Sequence, residues 1–175
     1  MGLSLSMMIR LNYTEPYYNL ISPEVYNYVI TNHGLAMIFF FLMPVLIGGF
    51  GNYLLPLLLG LGDLNLPRLN ALSAWLMLPS AVCLGISMFK GVGVGWTFYP
   101  PLSSGGYSGV GADFLMFALH LAGVSSILGS LNFICTIYSC MESLVVLRLS
   151  IVIWAYLFTS ILLLFSLPVL AAAIT

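Results

Sequence analysis

The sequence predicts an all-α fold: a polytopic bundle of transmembrane helices with four full spans and an N-terminal partial helix. Three observations predict it. The 175 residues include only four basic and five acidic side chains, against 61% hydrophobic ones. Those charges fall between apolar blocks, so that residues 25–62, 69–89, 114–141 and 149–175 carry none. Proline, glycine and polar clusters separate the same blocks. A helix needs roughly 20 apolar residues to cross a hydrocarbon core of about 30 Å, and an unpaired charge there costs several kcal/mol, so each block is long enough and suitably empty. Backbone groups in lipid must bond within their own segment, which makes every block a helix.

In chain order, residues 1–11 are the end of a helix and form the partial span. "NYTEPYYNLISPE" is a polar connection with Pro16 and Pro23 as breakers. The second span, 25–59, exceeds the length a bilayer demands and is expected to tilt or protrude. "GLGDLNLPR" is a tight turn before a third span over 67–89, with Pro67 in the first helical turn, where its missing N–H is no loss. The loop "GVGVGWTFYPPLSSGGYSGVG" is rich in glycine, proline and aromatics, and its Trp96, Phe98, Tyr99 and Tyr107 suit a membrane interface. The last two spans are expected over 112–138 and 150–173. The whole of 1–175 forms one membrane domain, with no internal repeat or low-complexity linker. A net charge of −1 leaves no footprint for nucleic acid. No signal peptide is visible, and one Lys or Arg per connection gives no orientation by the positive-inside rule. Cys83, Cys135 and Cys140 form no CxxC and are expected to be packing residues.

Chemistry-bearing side chains inside the spans are few. The two histidines, His33 and His120, are each alone on their helix. An imidazole in a membrane must be paired, neutral or metal-bound. A lone histidine is either a neutral ring bonded to a neighbouring helix or one axial ligand of a haem whose second ligand comes from elsewhere. Asn52, Asn70, Ser73, Ser125, Ser126 and Asn132 come from three spans, and Asp63 is the only acid in the turn between two of them. Facing one interior, they would order a file of water leading from a carboxylate. The other reading is ordinary interhelical hydrogen bonding, worth about 0.6 kcal/mol per contact.

Longer strings resemble one family. "NHGLAMIFFFLMPVLIGGFGNYLLPLLLGLGDLNLPRLNALSAWL", "GWTFYPPL", "HLAGVSSILGSLNFICTI" and "LLLFSLPVLAAAIT" follow in order the helices II to V of the main subunit of the haem–copper oxidases. The likeness runs from Gly2 to Thr175 and is closer to the cytochrome c type than to the quinol type. It implies a twelve-helix fold of which this chain holds the end of helix I through helix V. The implied activity is electron transfer from cytochrome c to oxygen coupled to proton pumping, carried out only by the assembled complex; the alternatives are a quinol oxidase subunit and a non-catalytic membrane scaffold or transporter.

The resemblance also implies roles by position. His33 matches the helix II ligand of the haem a iron, Arg10 the arginine that hydrogen-bonds that haem's formyl group, and Trp96 an indole near the propionates. Asp63, with Asn52, Asn70, Ser73, Ser125, Ser126 and Asn132, matches the mouth and lining of the D proton pathway. His120 matches a histidine that binds no metal. "SPEVY" at Ser22–Tyr26 is similar to the family's HPEVY, but Ser22 stands where a copper ligand would be, and the segment leads into helix II.

Family parts with no counterpart here are the glutamate that ends the pathway, the second haem a ligand, the haem a3 ligand and the three ligands of copper B. The resemblance therefore implies partners: the remaining helices of the same subunit, subunits 2 and 3, and cytochrome c, within a lipid membrane. Two readings stay open, a subunit encoded in separate pieces or a chain that is part of a longer one, with the mitochondrial inner membrane as its expected place and a bacterial plasma membrane as the alternative. Local departures are Asn12 where the family often has a cation-binding carboxylate, Asn70-Ala71 for Asn-Asn, Leu78-Pro79 for Pro-Pro, and a shorter stretch before Trp96.

Overall fold

The computed structural model describes residues 1–14, 20–104, 107–141 and 149–175. Pro16, the Gly105–Gly106 pair, Glu142 and Arg148, to which the sequence reading assigned connections, lie outside the described residues. Every element among the described residues is helical: α1 (Gly2–Asn12), α2 (Pro23–Leu59), α3 (Pro67–Lys90), α4 (Gly109–Met141) and α5 (Ile151–Ile174). The last four are long and apolar enough to cross a membrane, because the blocks between the charges leave no charged residue to end them early. α4 extends three residues beyond its expected span at each end, from Gly109 to Met141.

The start of α2 shows local chemistry setting a boundary. Ser22 is the N-cap with extended backbone, and its Oγ accepts from Val25 N at 3.5 Å. Pro23 and Glu24 fill the first turn, where a missing N–H costs nothing and a carboxylate meets the positive end of the helix dipole. "SPEVY" is thus a helix start.

Further along, α2 departs from the regular α form that its apolar run suggests. Residues Ala36–Leu42 and Pro44–Gly51 are wound as π-helix before α geometry returns at Asn52–Leu59. Pro44 removes one backbone donor and would crowd the carbonyl a turn earlier, and a wider turn relieves that clash. The helix ends at Gly60, whose φ of 69° lets its own N–H and that of Leu61 reach back to Leu57 O and Pro56 O.

Two compact units are distinguishable. The first comprises residues 1–42, 80–119 and Ile174. Its core gathers Leu35 and Ala36 of α2, Leu84 of α3, Val92, Val94 and Phe98 of the following loop, and Leu115 and Ala118 of α4. The second comprises residues 43–79, 120–173 and Thr175. Its core packs Leu55, Leu59 and Leu64 against Phe133, Ile137, Ile153 and Leu157. Most of the remaining apolar surface points outward: Phe89 is 95% exposed and Phe165 71%. Such side chains suit lipid or further helices, not water.

Candidate functional site

In the first unit the site is built around His33, half-buried in the first third of α2, just before its π-wound stretch. α1 packs closely beside it because Gly2 has no side chain; a Cβ there would lie 2.3 Å from Met37 Sδ. This approach brings Gly2 O to 3.0 Å from His33 Nδ1. A carbonyl only accepts, so Nδ1 carries the proton and donates it, and the Nε2 lone pair is left over. A metal-bound histidine is held this way, with a backbone carbonyl fixing tautomer and ring orientation. Nε2 has no hydrogen-bond partner among the described residues, nor does the guanidinium of Arg10, exposed in the last turn of α1. No group of three or more His, Cys, Asp or Glu that could hold a metal ion occurs among the described residues. What His33 offers a metal or cofactor is thus a single nitrogen lone pair, at Nε2, on a ring whose other nitrogen is held by Gly2 O.

The loop after α3 belongs to the same unit. Tyr28 of α2 lies against Gly91 and Gly93; a Cβ on either would sit 2.8 Å and 2.9 Å from its ring. Thr31 Oγ1 accepts from Gly95 N at 3.1 Å while donating to Asn27 O. Trp96, the next residue, is 55% exposed with no hydrogen bond among the described residues. Phe98 takes φ 52° and is buried in the unit's core, so packing holds a backbone state that costs a phenylalanine of order 1 kcal/mol or more.

In the second unit, six of the seven predicted polar residues meet. Asn52, Asp63, Asn70, Ser73, Ser125 and Ser126 line one cavity of about 500 Å³, together with apolar groups such as Met43, Met77 and Phe133. Asn52 Nδ2 donates to Asn70 Oδ1 at 3.1 Å, Ser73 Oγ to Asn70 O at 2.8 Å, and Ser125 Oγ to Ser73 O at 2.6 Å. The Ser126 hydroxyl lies 3.0 Å from Ala122 O and 3.3 Å from Met43 Sδ. These side chains thus make interhelical bonds and line a shared space at once; the two readings of the sequence are not exclusive. Asp63 is exposed, is the only charged lining residue, and accepts from Leu64 N at 2.8 Å through Oδ1.

The seventh, Asn132, is not among the cavity's lining residues. It is fully buried on α4, and its Oδ1 accepts from Leu66 N at 3.0 Å. Its Nδ2 is a buried donor without a partner among the described residues. His120 Nε2 is 3.0 Å from Thr175 Oγ1, a link between α4 and the end of α5. The Thr175 hydroxyl donates to Ala171 O at 2.7 Å, so the ring nitrogen is its donor. Sequence reasoning missed Tyr28 and Thr31, whose partners lie more than sixty residues away, and Asn65, Thr136 and Ser139. Thr136 and Ser139 had a signal: with Asn132 they repeat at the spacing of one helix face.

Comparisons with known proteins bear on the whole chain. A family model described as "Cytochrome C and Quinol oxidase polypeptide I" matches residues 1–175. The chain is similar to cytochrome c oxidase subunit 1 of Pecten maximus, 48% identical over 99% of this chain and 38% of the relative. It is also similar to that of Yarrowia lipolytica, 46% identical over 99% of this chain and 34% of the relative. For Candida albicans the figures are 44%, 99% and 34%. The chain thus spans little more than a third of the length of the curated relatives it matches. With the match running from the first residue to the last, the chain belongs to the cytochrome c and quinol oxidase polypeptide I family.

Proposed function

We propose that this chain is part of the catalytic core of a cytochrome c oxidase, active only in the assembled complex. There, electrons pass from cytochrome c to oxygen while protons are taken up and pumped. The relatives' shared name supports the cytochrome c type, and their eukaryotic sources support the mitochondrial inner membrane. The partners are the remaining helices of the subunit, subunits 2 and 3, and cytochrome c; 1–175 is one membrane domain within that assembly.

His33 Nε2 is the atom that would hold haem a, with Nδ1 steadied by Gly2 O. When bound, that haem would supply one-electron transfer at a potential tuned by its ligands and hydrogen bonds. Arg10 would donate hydrogen bonds to its formyl group, and the Trp96 indole N–H would hold a propionate. A second ligand for that haem and the ligands of haem a3 and copper B would be supplied by the remaining helices of the subunit.

Asp63 collects protons at the cavity mouth. Beyond it, the amides of Asn52 and Asn70 and the hydroxyls of Ser73, Ser125 and Ser126 offer donors and acceptors along one wall, so a water file stays ordered in a space otherwise lined by thioethers and hydrocarbon. Asn132 belongs to this pathway through the turn it holds. The observation that carries the reading is that single cavity, which gathers one carboxylate with five neutral polar groups from three helices.

The test is Asp63→Asn in the assembled complex. Proton uptake and oxygen turnover should fall by roughly 100-fold, as expected for loss of a proton-transferring group, while the haem a absorbance stays. Loss of the absorbance instead would assign Asp63 a structural role.

A further inference from the structure

The turn that bears Asp63 is bolted to α4 by hydrogen bonds whose directions are all fixed. Asn65 N donates to Thr136 Oγ1 at 3.1 Å, and that hydroxyl gives its own proton to Asn132 O at 2.7 Å. Asn65 Nδ2 donates to Ser139 Oγ at 2.6 Å and lies 3.4 Å from Cys135 O, while the Ser139 hydroxyl donates to Thr136 O at 3.0 Å. Leu66 N donates to Asn132 Oδ1 at 3.0 Å. Thr136 and Asn132 are fully buried, so their oxygens have no competing water. Between this clamp and Asp63 stands Leu64, 4% exposed in the core of the same unit. On the other side the turn leaves α2 through Gly60 in the left-handed conformation. Asp63 is thus an exposed carboxylate on a short turn whose following residues have little freedom to shift.

We infer that Asn65 is a positioning residue: through Thr136 and Ser139 it fixes the Asp63 carboxylate at the cavity mouth and thereby sets the rate at which protons enter. This rests on the proton-uptake role proposed for Asp63. Asn65 is exposed and is not among the cavity's lining residues, so its effect passes through the geometry of the turn. Freed from Ser139 and Cys135, the turn samples positions in which the carboxylate no longer feeds the water file.

A slower uptake step has a signature that a smaller fraction of folded protein lacks. Uptake depends on proton concentration, so weakening it moves the pH at which it limits turnover downward. A merely destabilised complex scales the whole profile without moving it. Arg68, exposed and five residues further on, is the nearest other charge in sequence and does not line the cavity.

The experiment uses the complete oxidase complex containing this chain, with oxygen turnover measured across pH and the haem absorbance used to count assembled enzyme. Asn65→Ala and Ser139→Ala, both at exposed positions, should slow turnover at high pH by about three- to tenfold, less than the roughly 100-fold that a full 1 Å misplacement can cost. Their profiles should break up to about one pH unit lower. Thr136→Val should do the same and Thr136→Ser should restore the parent profile, since only the hydroxyl is used. If Asp63→Asn slows turnover but the clamp variants only rescale their profiles, the positioning inference is overturned and the role of Asp63 stands. If Asp63→Asn leaves turnover unchanged, both fall.

Discussion

The loop carrying Trp96 and the turn carrying Asp63 are each held against a helix distant in sequence, and the means of holding differ. In the first unit the grip is steric: the Tyr28 ring occupies the space that side chains at positions 91 and 93 would need, with one hydrogen bond from Gly95 N to Thr31 added. In the second unit the grip is polar, with Asn132, Thr136 and Ser139 receiving two backbone N–H groups and one side-chain amide. The difference follows from what each segment must satisfy. A loop of small residues offers little side-chain area, so a large ring against bare backbone supplies the contact. A turn leaving one helix and starting another has orphan N–H groups, which cost free energy unless accepted. Steric locks fail when volume is added; polar locks fail when an acceptor is removed.

The largest test separates the two units by chemistry. His33→Ala should abolish the low-spin haem a absorbance of the assembled complex while the polar cavity keeps its lining. Retention of the full absorbance would remove His33 from the proposed haem site and end the proposed contrast between a cofactor-binding unit and a proton-conducting one.

A middle-sized test addresses the steric lock. Gly93→Ala places a methyl group 2.9 Å from the Tyr28 ring, and overpacking of this kind costs about 1–3 kcal/mol. Thermal denaturation of the detergent-solubilised complex should show the loss, and Tyr28→Ala in the same chain should give part of it back as a coupling in the double-mutant cycle. Additive effects would mean that the ring and the glycine do not hold each other.

The smallest effect belongs to the cavity wall. Ser125→Ala removes the donor to Ser73 O, and an interhelical bond of that type is worth about 0.6 kcal/mol. A loss of several kcal/mol would show that the polar residues of this unit brace the helices far more than they line a space.

Much of this was legible in the sequence, for identifiable reasons. The four long helices follow from charge placement, since lipid tolerates neither bare backbone nor unpaired charge. Pro67 and Gly60 mark their helix ends because one lacks a donor and the other lacks a Cβ. The six cavity residues were readable as a set through their match to the family's pathway, since the spans hold other polar residues such as Ser80, Ser130 and Thr136. The π-wound stretch of α2 was not, since Pro44 and its glycines signal a break in the α pattern without saying how the backbone resolves it. Asn132 was assigned to the cavity wall because an amide in a span has two uses, and its neighbours alone select between them.

What the sequence by itself determined is the list of segments that must be helices and the short roster of side chains able to bind a haem or carry a proton, because both depend on residue type and spacing along one chain. The tertiary structure decided which of these meet: that Gly2 comes near enough to fix the His33 tautomer, that Tyr28 finds two glycines, and that Asn65 finds α4. Those pairings lie 31 to 74 residues apart. At such separations no local propensity acts, and only the packing of whole helices selects the partner.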